Sequence, residues 1–173
     1  MTVAAAGFLV MLPAASAHAS DPEPFVMENI NSRLCLEIGG WSSANGGTAD
    51  QWNCIYPGDN PDANQAWRFE PVNGYYRIVN AFSGKCLEVQ GWSQSNGATV
   101  DQWDCLSNSN GPDTNQLWFV GGGRVINVNS NKCLEVQGWS QSNGGRVDQW
   151  DCLSNSSGSD PNQQWTLIGP YDM

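Results

Sequence analysis

Histidine occurs once in the 173 residues, at His18, inside an N-terminal stretch that has the order of a removable leader. That stretch runs apolar from Val3 to Leu12 and then small through Ala17-His18-Ala19, as a secretory signal peptide and its cleavage site do. It lacks the usual Lys or Arg ahead of the apolar run. The expectation is a signal peptide over 1–19 and a mature, secreted, extracellular chain from Ser20. Without the leader no histidine remains, which excludes Ser-His-Asp and Cys-His catalysis and His-ligated zinc. Positive charge is scarce as well: seven Lys and Arg stand against seventeen Asp and Glu, a net charge of −10. Nucleic acid and anionic membrane surfaces need basic patches, so neither is an expected partner. No later apolar run is long enough to span a bilayer, so membrane insertion is not expected. Helix signals are missing too, and no cysteine pair has the short spacing of a zinc site.

What the chain has is tryptophan, glycine and repetition. "KCLEVQGWSQSNG" stands at 85–97 and again at 132–144, with a looser copy, "LCLEIGGWSSANG", at 34–46. Residues 85–118 and 132–165 agree at 28 of 34 positions. The first unit has diverged further, so what it retains is the more informative: C-L-E, Gly-Trp-Ser, Asn-Gly, D-Q-W, a second Cys, and N-Q-x-W. Six cysteines allow fifteen pairings. Each unit, however, spaces its two by nineteen, which selects Cys35–Cys54, Cys86–Cys105 and Cys133–Cys152. Such bridges form in oxidising compartments and stabilise by roughly 3 kcal/mol each on loop entropy. Short β-branched and aromatic runs, such as "YYRIVN" and "RVINVN", alternate with Gly, Asn, Ser and Pro turns, about four runs per unit. The fold class is therefore all-β, with twelve short strands closing as a barrel that leaves few open edges.

If each bridge joins paired antiparallel strands with its cysteines opposite one another, Cys+2 faces the second Cys−2. Glu37 then lies opposite Trp52, Glu88 opposite Trp103, and Glu135 opposite Trp150, with Asp50, Asp101 and Asp148 on the same face. A carboxylate beside an indole suits a sugar: the pyranose C–H face lies on the ring and its hydroxyls donate to the acid. Asn64, Asn115 and Asn162 supply an amide nearby. Trp41, Trp92 and Trp139, in the Gly-flanked loop, are expected to fold over the hairpin as lids, the alternative being a second sugar platform. The Asn-Gly pairs following them are expected to be turns that need positive φ. Asn155-Ser156-Ser157 is a glycosylation sequon.

Three units ending in Q-x-W, each with a mid-unit disulfide and C-L-E beside Q-W, resemble ricin-type lectin domains, including the modules attached to bacterial xylanases. The resemblance spans about residues 25–168. It implies a β-trefoil of three four-stranded repeats, one disulfide in each, at about 25–70, 71–120 and 121–168 of a single domain over 20–173. It places Trp67, Trp118 and Trp165 in the core. It adds the glutamines of N-Q-x-W, mostly in structural roles, so the implied sugar sites are Glu37, Trp52, Asn64 and Gln65; Glu88, Trp103, Asn115 and Gln116; Glu135, Trp150, Asn162 and Gln163. Three departures shift the implied preference away from a simple galactose site: Glu replaces the usual Asp, Asp50, Asp101 and Asp148 stand where Gln is frequent, and the stretch before N-Q-x-W is about three residues longer. The expected function is that of a non-enzymatic, monomeric lectin without cofactor or metal, binding neutral galactose- or xylose-type glycans through up to three sites. The alternative is a trefoil that blocks another protein with its loops.

Overall fold

The computed structural model describes residues 23–56, 61–109, 111–155 and 158–169. The expected leader, the domain's outermost residues and Ser156-Ser157 of the sequon lie outside the described residues. Within these, the first unit contributes β1 (Phe25–Asn29), β2 (Cys35–Ile38), β3 (Gly47–Trp52) and β4 (Ala66–Val72). The second contributes β5 (Tyr75–Asn80), β6 (Cys86–Val89), β7 (Ala98–Trp103), a two-residue ribbon of β8 (Ser107–Asn108) and β9 (Gly111–Pro112), and β10 (Trp118–Gly121). The third repeats the plan with β11 (Arg124–Asn127), β12 (Cys133–Val136), β13 (Gly145–Trp150), β14 (Ser154–Asn155), β15 (Gly158–Ser159) and β16 (Trp165–Ile168). The ribbons occupy the lengthened stretch between the second Cys and N-Q-x-W. No α-helix occurs among the described residues, only three-residue 3₁₀ turns.

The outer strands of each unit form a ring: β1 pairs with β4, β4 with β5, β5 with β10, β10 with β11, and β16 with β1. Trp165 N donates to Gly123 O at 2.8 Å and draws β16 against the start of β11. The inner hairpins β2–β3, β6–β7 and β12–β13 cap one end, where β3, β7 and β13 pair with one another in a triangle. This is a β-trefoil. Closure leaves no long unpaired edge, which is how the expected barrel avoids strand-to-strand aggregation.

Trp67, Trp118 and Trp165 fill the centre, at 0%, 0% and 3% exposure. Each indole Nε1 donates to a hairpin carbonyl, Leu36 at 3.0 Å, Leu87 at 2.9 Å and Leu134 at 3.0 Å, so none of these three buried indole N–H groups is left unpaired. Around them pack Leu36, Ile38, Leu87, Val89, Leu134 and Val136 from the C-L-E strands.

The three bridges are as the spacing required: Cys35–Cys54, Cys86–Cys105 and Cys133–Cys152, each with Cα atoms 5.1 Å apart. The strand register differs from the expectation. Cys35 faces Trp52 and Glu37 faces Asp50; likewise Glu88 faces Asp101 and Glu135 faces Asp148. The second cysteine lies two residues past the end of its strand, on the departing chain, so the bridge runs diagonally. An offset of two preserves the face but moves every partner by one pair. The directly opposed residues are therefore the two acids, with tryptophan diagonal to the glutamate.

Candidate carbohydrate site

In each unit the C-L-E glutamate is buried: Glu37 at 8%, Glu88 at 6% and Glu135 at 8% exposure. Its Oε2 accepts a hydrogen bond from the N-Q-x-W glutamine, Gln65 Nε2 at 2.8 Å, Gln116 Nε2 at 2.7 Å and Gln163 Nε2 at 2.8 Å. The same amides donate to the carbonyls of Asn53, Asp104 and Asp151, and their Oε1 atoms accept from the N–H of Ile55, Leu106 and Leu153. Gln65, Gln116 and Gln163 are thus buried and positioning; they aim the glutamate and tie down the chain on both sides of the second Cys.

The neighbouring asparagine is buried as well. Asn64, Asn115 and Asn162 are 1–2% exposed. Asn64 Nδ2 donates to Ile38 O at 2.9 Å, and Asn115 Nδ2 to Val89 O at 3.2 Å. The Oδ1 atoms of all three asparagines have no protein partner, and neither do Oδ1 of Asp50, Asp101 and Asp148. A buried oxygen without a donor is costly, so each unit holds two acceptors that lack a donor.

Burial, and then the facing glutamate, push Asp50 up to about 6 and Asp101 and Asp148 up to about 7. Burial also raises Glu37, Glu88 and Glu135, partly offset by the glutamine hydrogen bond. Near neutral pH Asp101 and Asp148 are therefore about half protonated, and in the protonated form the carboxyl can donate.

The three glutamates line three open pockets, joined in the third by Asp148. The first, about 320 Å³, is lined by Glu37, Gly40, Trp41, Trp52 and Ile55. The second, about 330 Å³, includes Glu88, Gln90, Trp92, Trp103, Leu106 and Asn115. The third, about 380 Å³, includes Glu135, Gln137, Trp139, Asp148, Trp150 and Leu153. The walls are two indoles and an aliphatic side chain, with Trp52, Trp103 and Trp150 about two-fifths exposed. Trp41, Trp92 and Trp139 do not fold over the hairpin as lids but stand as half-exposed walls, the exposed arrangement of the alternative. Their backbones carry φ of 55°, 58° and 59°, a left-handed conformation rare for a bulky residue and concentrated at functional sites. That strain is invisible in the sequence, although the preceding glycine is a signal for it. The aliphatic walls Ile55, Leu106 and Leu153 also went unread; their signal is the position one past the second Cys.

Neighbouring units hold these walls. Gly46, Gly97 and Gly144 have φ of 76–79°, the positive φ expected of the Asn-Gly turns. A Cβ on Gly97 would lie 3.7 Å from the Trp150 ring, so each Asn-Gly tip lies against the next unit's indole. Asn45 Nδ2 donates to Asp104 Oδ2 at 2.9 Å, and Asn96 Nδ2 to Asp151 Oδ2 at 2.9 Å. The same aspartates pair with Lys85 and Lys132 at 2.5 Å.

The comparisons with known proteins agree with this fold. No curated protein sequence matched the chain. Among solved structures, a designed threefold symmetric protein, ThreeFoil, is 30% identical with a TM-score of 0.69, covering 84% of this chain and 97% of that one. An exo-β-1,3-galactanase from Clostridium thermocellum is 28% identical with a TM-score of 0.70, covering 88% of this chain but only 31% of the enzyme. The C-half of an earthworm R-type lectin, solved with GalNAc, is 15% identical with a TM-score of 0.64, covering 86% of this chain and 99% of that chain. A family model described as ricin-type β-trefoil lectin domain-like matches residues 15–103, 63–150 and 114–172, three overlapping windows in step with the repeats. Those windows cover well over half of the sequence, and the chain belongs to the ricin-type β-trefoil lectin domain-like family.

Proposed function

We propose that the protein is a secreted, non-catalytic lectin that binds neutral glycans through three shallow pockets acting together. The observation that carries this reading is one plan built three times: a buried glutamate facing an aspartate, buried in two units and half-buried at Asp50, near exposed indoles and an asparagine oxygen without a donor. A pyranose meets all of it, with its C–H face on tryptophan and its hydroxyls donating to the orphaned acceptors. Glu37, Asp50, Trp52 and Asn64 form the first contact set, Glu88, Asp101, Trp103 and Asn115 the second, and Glu135, Asp148, Trp150 and Asn162 the third, with the N-Q-x-W glutamines behind them. Open pockets of this size bind single sugars weakly, and three on one rigid barrel raise avidity when a polysaccharide spans them. The 28% identical stretch of the galactanase supports galactose-type glycans within that class. Threefold repetition of the acid pair favours avidity over glycoside hydrolysis, which needs a single cleft with distinct acid and base.

The test is a glycan array on the chain from Ser20, run with calcium and again with a chelator. Binding to neutral galactosyl or xylosyl glycans in both conditions is expected. Silence across the array from folded protein would refute the reading and favour a trefoil acting on another protein through its loops.

A further inference from the structure

The three pockets are not equivalent, and the difference sits at one position. Four residues past the first Cys the units carry Gly39, Gln90 and Gln137. Gln90 Nε2 donates to Asp101 Oδ2 at 3.0 Å, and Gln137 Nε2 donates to Asp148 Oδ2 at 3.1 Å. Both glutamines are exposed and line their pockets. The first unit has no such side chain. Asp50 Oδ2 occupies the vacated space, 2.8 Å from where a Cβ on Gly39 would lie. Asp50 is accordingly half-buried, while Asp101 and Asp148 are 0% and 3% exposed.

The outer wall changes in step. Trp41 packs edge-on against Phe82, with centroids 5.0 Å apart and planes at 81°. One unit on, Asn129 replaces Phe82 and donates through Nδ2 to Trp92 O at 3.2 Å. The first unit therefore sets a bare carboxylate beside Gly39 and an aromatic ring against its pocket tryptophan, where the second has the Gln90 amide on the pocket wall and the Asn129 amide on the Trp92 carbonyl.

We infer that the residue at 39, 90 and 137 determines specificity. The glutamine pockets take a pyranose carrying a hydrogen-bond-accepting substituent, an acetamido or alkoxy group, whereas the glycine pocket demands hydroxyl donors there. A primary amide has two N–H donors and a carbonyl. One N–H holds the aspartate, and the other remains for an acceptor on the ligand. An ionised carboxylate only accepts, so at Asp50 an acceptor-bearing substituent meets an unpaired negative oxygen. A site whose buried polar groups lose their partners discriminates strongly. This inference rests on the carbohydrate-binding reading.

The experiment isolates pockets by removing two platforms at a time. Trp103→Ala with Trp150→Ala leaves the first pocket, and Trp52→Ala with Trp150→Ala leaves the second. Each is titrated at pH 8 by NMR with methyl β-galactoside, its 2-acetamido analogue and its singly O-methylated derivatives, with a methyl β-xyloside series alongside. The expected result is that at least one acceptor-bearing derivative binds the second pocket as well as the parent sugar does, and binds the first about tenfold more weakly. Gly39→Gln then removes that penalty from the first pocket, and Gln90→Gly imposes it on the second. Equal derivative-to-parent ratios in both pockets, or ratios unmoved by the exchange while the parent sugar still binds, would overturn the inference. Should a double variant fold poorly, the indole signals of Trp52 and Trp103 in the unmodified protein report the two pockets separately, and the same two ratios decide the matter. Failure of the unmodified protein to bind any sugar would overturn the carbohydrate reading itself, a separate outcome.

Discussion

Replacing Asp101 by Asn should lessen the dependence of stability on pH between 5 and 8. In the folded protein Asp101 and Asp148 are held at about 7 and Asp50 at about 6, by burial first and the facing glutamate second. In the unfolded chain an aspartate titrates near 4. The folded state thus holds protons that the unfolded state has already released at pH 5. Stability is full at acid pH and is lost as the pH rises through the folded values. From pH 5 to 8 an acid held near 7 crosses about two pH units of unfavourable ionisation, roughly 3 kcal/mol, or about 2 once its coupling to the facing glutamate is allowed for. For a domain of this size about 1 kcal/mol moves Tm by roughly 2–4 °C. Each of the second and third units therefore contributes a fall of about 4–8 °C, and the first unit less. Asp104 and Asp151, held low by Lys85 and Lys132, act in the opposite sense, but only below about pH 4. The assay is calorimetry of the parent and Asp101→Asn at half-unit steps. The two should coincide near pH 5, with the variant more stable by about 2 kcal/mol at pH 8. A parent Tm that stays flat or rises from pH 5 to 8, or a variant as pH-sensitive as its parent, would refute the reasoning.

Three further substitutions separate support from contact. Gln116→Ala strips hydrogen bonds from Glu88, the Asp104 carbonyl and the Leu106 N–H, and should cost about 3–4 kcal/mol in guanidinium denaturation; a loss below about 1 kcal/mol would mean water replaces the amide freely. Trp103→Ala removes a platform two-fifths exposed, so binding to an immobilised glycan should fall by about tenfold or more through lost avidity, while circular dichroism reports an intact fold. Trp92→Gly releases a left-handed backbone at φ 58°; relief of strain should offset lost packing to within about 1 kcal/mol of stability, while binding at the second pocket drops.

Much of this was legible because the repeat supplies its own control. Nineteen-residue cysteine spacing in all three units fixed the bridges, and Q-x-W pointed to Trp67, Trp118 and Trp165 as core. Face parity correctly grouped Glu37, Asp50 and Trp52, since strand side chains alternate with a period of two. Register did not follow from parity. Whether Cys54 lies in the strand or on the chain leaving it is decided by where pairing stops, and the sequence marks that only weakly. Whether Trp41, Trp92 and Trp139 close as lids or stand exposed was undecided for a related reason: a Gly-Trp pair signals a turn, and the direction in which the indole leaves it depends on the strands around it.

The D-Q-W glutamines stood out as a retained motif without a role, and they explain why the pockets come as a set. Gln102 Nε2 donates to Ser42 O at 2.8 Å and Ala44 O at 3.1 Å, in the loop of the unit before it. Gln149 does the same to Ser93 and Ser95, and Gln51 to Ser140 and Ser142, which closes the ring. The loop that each glutamine holds begins at a pocket tryptophan, Trp41, Trp92 or Trp139, and ends at the Asn-Gly tip lying against the next platform. Each pocket is thus built by its own unit and held in shape by the other two. A single unit would lack both the donors for its loop carbonyls and the partner that fixes its indoles. Loosening one loop should consequently weaken binding at the neighbouring platform as well as at its own, without any residue there being changed.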